Sequence, residues 1–232
     1  MGVSKEYVVG GSLTVALRNV NFKVFKGDLI AIMGPSGSGK TTLLNMLGLL
    51  DRPSSGKIFF EGRDVSLLSD WELAYLRRTK LGFVFQTFNL VNRLTVYENI
   101  ELPLIPMGIP RSVRAEMVRE ALLRVGGELE WLMKKPTQLS GGQQQRVAIA
   151  RAIVGGPLVL LADEPTGNLD RASAKVVVET FLRLNREGRS VVVVTHDPEV
   201  ANCMERIYII RDGAIVGERE ADPSEALINK PT

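Results

Sequence analysis

Short runs of Val, Ile, Leu and Phe without polar alternation recur along the chain: Leu29 to Met33, Leu81 to Phe85, Val159 to Ala162 and Val191 to Val194. A strand covered by helices on both faces reads this way, because neither face meets water. Helical stretches separate the runs, which predicts an α/β fold built on a mostly parallel sheet. The segment before Gly34 differs. Leu17 to Val24 and Lys57 to Phe60 read as shorter, half-exposed strands punctuated by Gly27 and Gly56, which predicts an N-terminal antiparallel β subdomain. From about residue 87 to 155 the pattern is mainly helical. There Val113, Met117, Ala121, Leu122 and Val125 fall on one helical face, and Pro103, Pro106 and Pro110 interrupt the chain ahead of it. This region reads as a helical subdomain inserted into a single domain spanning residues 1–232.

Composition narrows the picture only a little. The 232 residues suffice for one sizeable core. Apolar runs such as Leu158 to Ala162 fall far short of the about 20 residues that cross a bilayer, so no direct membrane insertion is expected. No basic segment followed by an apolar stretch marks the N-terminus as a signal peptide. Cys203 is the single cysteine, so no intrachain disulfide can form, in keeping with a reducing cytosol. A net charge of +3 is a mild excess. It fits a mixed, solvated surface better than a nucleic-acid interface.

The strand Leu29 to Met33 leads into Gly34-Pro35-Ser36-Gly37-Ser38-Gly39-Lys40-Thr41, followed by the helical pattern Thr42 to Leu49. This is the phosphate-loop consensus in its required setting of strand, loop and helix. The glycines let backbone N–H groups curl around an anion, as most side chains would not, and the helix adds its positive end. Lys40 places a mobile positive charge on the β- and γ-phosphates. Thr41 offers a hydroxyl to Mg²⁺. The nucleotide-binding set is therefore Gly34, Ser36, Gly37, Ser38, Gly39, Lys40, Thr41 and Thr42. It points to a nucleoside triphosphate bound with magnesium.

Val159 to Ala162 ends in Asp163 and Glu164, at the strand end where ligands of open α/β sheets bind. Asp163 suits the magnesium role, through water. Glu164 suits a general base or a positioner of the attacking water. His196, the only histidine, ends another buried run, and an imidazole there can donate to a γ-phosphate. Farther along, Leu139-Ser140-Gly141-Gly142-Gln143 opens a helix, leaving backbone N–H groups at its start as a second anion-binding device. One chain does not readily bring two such loops onto one phosphate, so two chains are a natural arrangement.

Taken together these motifs resemble the nucleotide-binding subunit of the ABC transporter family, in order and over nearly the whole chain. The resemblance implies a P-loop NTPase (RecA-like) core and an ATPase. It makes Leu139 to Gln143 the signature, Gln86 the Q-loop glutamine and a magnesium ligand, Asn168-Leu169-Asp170 the D-loop with Asp170, His196 the switch histidine, and Tyr7 the aromatic that stacks on adenine. It also implies a head-to-tail homodimer around two ATP, in which Ser140, Gly141, Gly142 and Gln143 meet the partner's nucleotide. The cofactors implied are ATP and Mg²⁺. The implied partner is an integral membrane permease, with the subunit cytoplasmic and peripheral on the inner face of the cell membrane. Gln86 to Leu90, Glu98 to Leu104 and Lys135 to Gln138 resemble the lipoprotein-release and macrolide-export type. Only Met1 to Lys5 and Glu6 precede Tyr7, so the first strand reads as clipped and its pairing is open. The alternatives are an ABC ATPase acting on nucleic acid, disfavoured by a single cassette with no heptad run, and a silent nucleotide clamp, disfavoured by Glu164 and His196.

Overall fold

The computed structural model describes residues 1–230. Its first element, β1 (Val3–Val9), pairs antiparallel with β2 (Ser12–Val20). The first strand is thus not clipped. β2 flanks one side, and on the other the N-terminal ammonium donates to the Lys57 carbonyl at 2.7 Å while the Ser54 amide donates to the Ser4 carbonyl at 2.9 Å. The expected strand from Leu17 to Val24 is displaced toward the N-terminus. It ends at Val20, and a turn follows in which the Phe25 amide donates to the Asp28 carboxylate at 2.7 Å. The expected strand Lys57 to Phe60 shrinks to β4 (Phe59–Phe60), paired with β5 (Arg63–Asp64).

β3 (Leu29–Met33) then runs into α1 (Lys40–Leu47). α2 (Asp70–Lys80) is started by a capping box between Ser69 and Glu72 and leads directly into β6 (Leu81–Phe85). The helical region follows as α3 (Val96–Glu101), α4 (Arg111–Arg124) and α5 (Gly141–Ile153), joined by short 3₁₀ turns. β7 (Val159–Asp163), α6 (Arg171–Arg186), β8 (Ser190–Thr195), α7 (Pro198–Ala201), β9 (Arg206–Arg211) and β10 (Ala214–Glu220) complete the chain. Among the described residues the main sheet has the order β10-β9-β3-β8-β7-β6, parallel except for β10. The fold is that expected: a mostly parallel sheet, antiparallel N-terminal strands and a helical insert. β10 was not legible, because it is largely exposed and carries Glu218, Arg219 and Glu220 in place of an apolar run; β9 does carry an apolar run, Ile207 to Ile210, which the sequence reading left unassigned.

Each buried strand divides its side chains between two cores, as the two-residue period of a strand dictates. Leu29, Ala31, Leu160, Ala162, Val191 and Val193 face α5 and α6. Ile30, Ile32, Leu161, Val192 and Val194 face α1 and the β1–β2 hairpin. In the insert, Val118, Ala121, Leu122 and Val125 are buried and Met117 packs against them. Val113, expected on that face, is 49% exposed. It lies in the first turn of a peripheral helix, before α4 reaches the core, and Val118 takes the buried position. Pro110 is the N-cap of α4, where its fixed φ suits a helix start.

Phe181 of α6 is fully buried between the sheet and the helices. Phe181→Ala is expected to lower unfolding free energy by about 3–5 kcal/mol. Urea denaturation checks it; a loss below about 1 kcal/mol would show that the layers close over the gap.

Candidate functional site: a phosphate loop at the sheet edge

The parallel register brings four strand ends to one line. Met33 lies opposite Thr195, and Asp163 lies opposite both Phe85 and Val194. The residues just beyond these ends are the loop from Gly34, His196, Glu164 and Gln86. Residues far apart in the chain thus share one edge.

The phosphate loop is closed by its own chemistry. Gly39 has φ +102 and a Cβ there would meet the Ala16 carbonyl at 2.5 Å, so no other residue fits between the loop and β2. The Lys40 ammonium, largely buried, donates to the carbonyls of Gly34 at 2.8 Å and Pro35 at 3.0 Å. The Ser38 hydroxyl is buried with no partner among the described residues. Thr41, at the start of α1, donates its hydroxyl to the Asp163 carboxylate at 3.0 Å. Burial pushes the Asp163 carboxyl above its ordinary value, against the Thr41 hydrogen bond, and the neighbouring charge of Glu164 adds to the rise while Lys40 opposes it.

Glu164 adopts φ +46, a left-handed conformation that costs a residue with a Cβ about 1–3 kcal/mol. Its amide donates to the Val194 carbonyl at 2.9 Å, and its carbonyl accepts from the Gly167 amide at 3.1 Å. This turn swings the side chain to His196. The His196 Nδ1 lies 2.9 Å from Glu164 Oε1, and the His196 amide donates to Oε2 at 3.4 Å. A carboxylate only accepts, so Nδ1 carries the proton in this pairing. For Nε2 to donate as well, the ring must hold both protons or Nδ1 must leave Glu164.

Gln86 and Asn168 bond reciprocally: Gln86 Nε2 donates to Asn168 Oδ1, and Asn168 Nδ2 to the Gln86 carbonyl, each at 3.2 Å. The Gln86 side-chain oxygen takes no part in either bond. With the Thr41 hydroxyl and the Asp163 carboxylate it makes a set of hard oxygen donors, which suits Mg²⁺. Among the described residues no cluster of three or more His, Cys, Asp or Glu side chains could hold a metal. A magnesium ion here would complete its shell with waters or phosphate oxygens.

Tyr7 sits on β1 beside α1. Its hydroxyl donates to Asp51 at 2.9 Å, and Asp51 pairs with Lys5 at 2.8 Å. The Lys5 ammonium stands 4.9 Å from the Tyr7 ring centre. Burial and the Asp51 carboxylate push the Tyr7 phenol up. Asp51, though burial acts to raise it, is held below its ordinary value by Lys5, Tyr7 and the Arg52 amide. The ring is thus held in one orientation. Thr42 is half-exposed in the first turn of α1.

The signature residues stand apart from this cluster. Ser140 is exposed and caps α5, accepting from the Gln143 amide at 3.3 Å while the Gln143 side chain accepts from the Ser140 amide at 2.9 Å. Among the described residues neither makes a hydrogen bond to the phosphate loop, Asp163, Glu164 or His196. Gly142 packs on α6 so closely that a Cβ would lie 2.5 Å from the Ser173 hydroxyl. Asp170 caps α6, accepting from the Ser173 amide at 2.9 Å and hydroxyl at 2.8 Å, and these bonds hold its carboxyl below the usual range.

A profile of the ABC transporter family matches residues 17–167. The chain belongs to the ABC transporter family. A relative from Thermotoga maritima, described as an uncharacterized ABC transporter ATP-binding protein, is 50% identical over 215 residues, 93% of this chain and 92% of that one. The macrolide export ATP-binding/permease protein MacB of Syntrophobacter fumaroxidans is 51% identical over 223 residues, 94% of this chain but 31% of that protein. The bacterial ABC transporter cassette MJ0796 in its dimeric structure superposes with TM-score 0.88 at 44% identity, covering 95% of this chain and 97% of that one. A second structure of that cassette is a post-hydrolysis state bound to ADP and Pi, with the same score and coverage. The protein is accordingly an ABC ATPase, the ATP-binding subunit of a transporter. No helix among its described residues is long and apolar enough to cross a membrane.

Three supporting residues of the cassette escaped the sequence reading. Asp51 orients Tyr7. Gln145, fully buried on α5, donates to the carbonyls of Phe85 at 3.3 Å and Pro165 at 2.6 Å. Arg151, near the end of α5, donates to those of Phe88 and Asn89. The signal for Gln145 and Arg151 was present as polar residues on a helix otherwise rich in Val, Ala and Ile.

Lys40→Ala is expected to abolish ATP binding measured by calorimetry, because the phosphates lose their main counter-charge; unchanged affinity would refute that role. Tyr7→Ala is expected to weaken ATP by about tenfold, the scale of a stacked base, and to leave inorganic tripolyphosphate unaffected. An equal loss for both ligands would remove Tyr7 from the base site.

Proposed function

We propose that the cassette works as a head-to-tail homodimer that closes on two ATP with Mg²⁺ and drives a separate integral membrane permease of the lipoprotein-release or macrolide-export type. The observation that carries this reading is the separation just described. The edge holding Lys40, Asp163, Glu164 and His196 is one half of a phosphate site, and the exposed helix start at Ser140 is another that this chain does not turn onto it. A second copy, reversed, supplies the missing half to each. The dimeric MJ0796 cassette supports the arrangement. The likeness to MacB, which joins an ATP-binding part to a permease, supports the partner and with it a place on the cytoplasmic face of the cell membrane. The whole chain acts in this reading as one cassette, residues 1–232, with the helical part from about 87 to 155 carrying the signature.

In this mechanism Lys40 exchanges the Gly34 and Pro35 carbonyls for phosphate oxygens, while the N–H groups of Gly37 and of Gly39 to Thr42 wrap the phosphates. Thr41, Asp163 and Gln86 would hold the magnesium, which neutralises charge on the β- and γ-phosphates. Glu164 takes a proton from, or orients, the water that attacks the γ-phosphorus. The bond from that phosphorus to the bridging oxygen breaks and ADP departs. His196 holds Glu164 beforehand and contacts the γ-phosphate once ATP binds. Ser140, Gly141, Gly142 and Gln143 of the opposing copy close over that phosphate, and Asp170 lies on the same dimer face. Loss of the γ-phosphate removes the shared contact, and the copies part.

The deciding experiment is the solution mass of Glu164→Gln with ATP and with ADP. A dimer with ATP and a monomer with ADP is expected, with hydrolysis slowed by at least about a hundredfold. Adding Ser140→Arg should block the dimer while monomer ATP affinity is kept. A normal dimer in that double variant sinks the sandwich; turnover near the parent rate in Glu164→Gln moves the base role elsewhere.

A further inference from the structure

The segment after Gln86 is held in an unusual shape by a residue from the signature helix. Phe88 and Asn89 both lie in the left-handed region, at φ +59 and +52, though neither is glycine. Two successive residues with a Cβ do not adopt this conformation unless the surroundings impose it. The surroundings here are the Arg151 guanidinium, whose Nη2 donates to the Phe88 carbonyl at 3.0 Å and whose Nη1 donates to the Asn89 carbonyl at 2.6 Å. Its planar fork presents two donors in fixed geometry to two adjacent carbonyls.

Arg151 is also a half-buried cation with no carboxylate within ion-pair distance among the described residues, and burial pulls its pKa down. Its hydrogen-bond partners are instead the two carbonyls of the left-handed residues. The same helix holds the segment at one more point: Gln145 donates to the carbonyl of Phe85, the residue before Gln86, at 3.3 Å, as well as to that of Pro165 beyond β7 at 2.6 Å. Asn168, in the loop beyond β7, is bonded to Gln86.

We propose that Arg151 is a positioning residue that makes the Gln86 segment and helix α5 one moving part, so that a shift of Gln86 on nucleotide binding is carried to the helix start at Ser140. Nothing in the sequence motifs assigns this role, since Arg151 touches neither the phosphate loop nor Ser140. The inference rests on the roles of Gln86 and Ser140 proposed above and adds the link between them.

The test is hydrogen exchange of Glu164→Gln with and without Mg-ATP, at a protein concentration too dilute for dimerisation so that no partner covers the helix start, followed at residues 86–90 and 140–145, repeated with Arg151→Ala and Arg151→Lys added. With Arg151 present, Mg-ATP should change exchange in both segments. With Arg151→Ala it should change residues 86–90 alone, ATP affinity of the monomer should stay within about twofold, and the ATP needed for half-dimerisation should rise by about tenfold, the scale of a coupling between sites. Arg151→Lys, which keeps the charge and loses the fork, should fall between. Should Arg151→Ala melt at the assay temperature, Asn89→Pro takes its place. It forbids the left-handed φ at an exposed residue, leaves Arg151 intact and should uncouple the segments in the same way. The inference is overturned if both segments still respond together in Arg151→Ala or, in its place, Asn89→Pro, or if the parent shows no joint response. Joint response in a parent that never dimerises keeps the link and removes the sandwich instead.

Discussion

The parallel pairing of β3, β8, β7 and β6 governs what the rest of the chain must do. Because the strands run the same way, their ends fall together, and each strand delivers its last residues to one edge: the loop from Gly34, His196, Asp163 with Glu164, and Gln86. No crossover among these strands could slip by one residue without moving Ile30, Ile32, Leu161 and Val192 from one core to the other. Packing on both faces therefore fixes the positions of reacting groups to within a fraction of a residue. The Thr41–Asp163 hydrogen bond, which joins the first strand-loop-helix unit to β7, exists only because that register holds.

Electrostatics at this edge is left deliberately unbalanced. Asp163 is half-buried beside Glu164, and burial, with the Glu164 charge adding to it, raises its carboxyl. Lys40 lies close but spends its donors on carbonyls. A magnesium ion and a triphosphate together would correct both conditions, the cation at Asp163 and the anion at Lys40, which explains why neither half of the site is complete as a closed metal centre. His196 and Glu164 satisfy one another by direct bonding.

Much of this was legible in the sequence because buried parallel strands and phosphate loops leave dense local signals. Leu29 to Met33 and Leu81 to Phe85 appear with the bounds their apolar runs suggest, and the loop between Met33 and Lys40 lies where its glycines require. Elements whose partners lie far off in the chain were harder to see. β10 is an edge strand with charged side chains, so burial imposed no pattern on it. Val113 matches the helical period yet sits where α4 has not reached the core, whereas Val118 does. Tyr7 was visible, but Asp51, which aims it, lies 44 residues away and carries no motif. Arg151 reads as an ordinary helix-end cation until Phe88 and Asn89 are found folded around it.

The hold that Lys40 takes on the Gly34 and Pro35 carbonyls has a kinetic side. The ammonium has two carbonyl partners within the loop, so a nucleotide's phosphates must trade for those bonds. That exchange makes entry and departure more nearly equal in free energy. A machine that must take up fuel and let go of the spent product in every cycle is served by a grip of this moderated kind, since a tighter one would stall it on ADP.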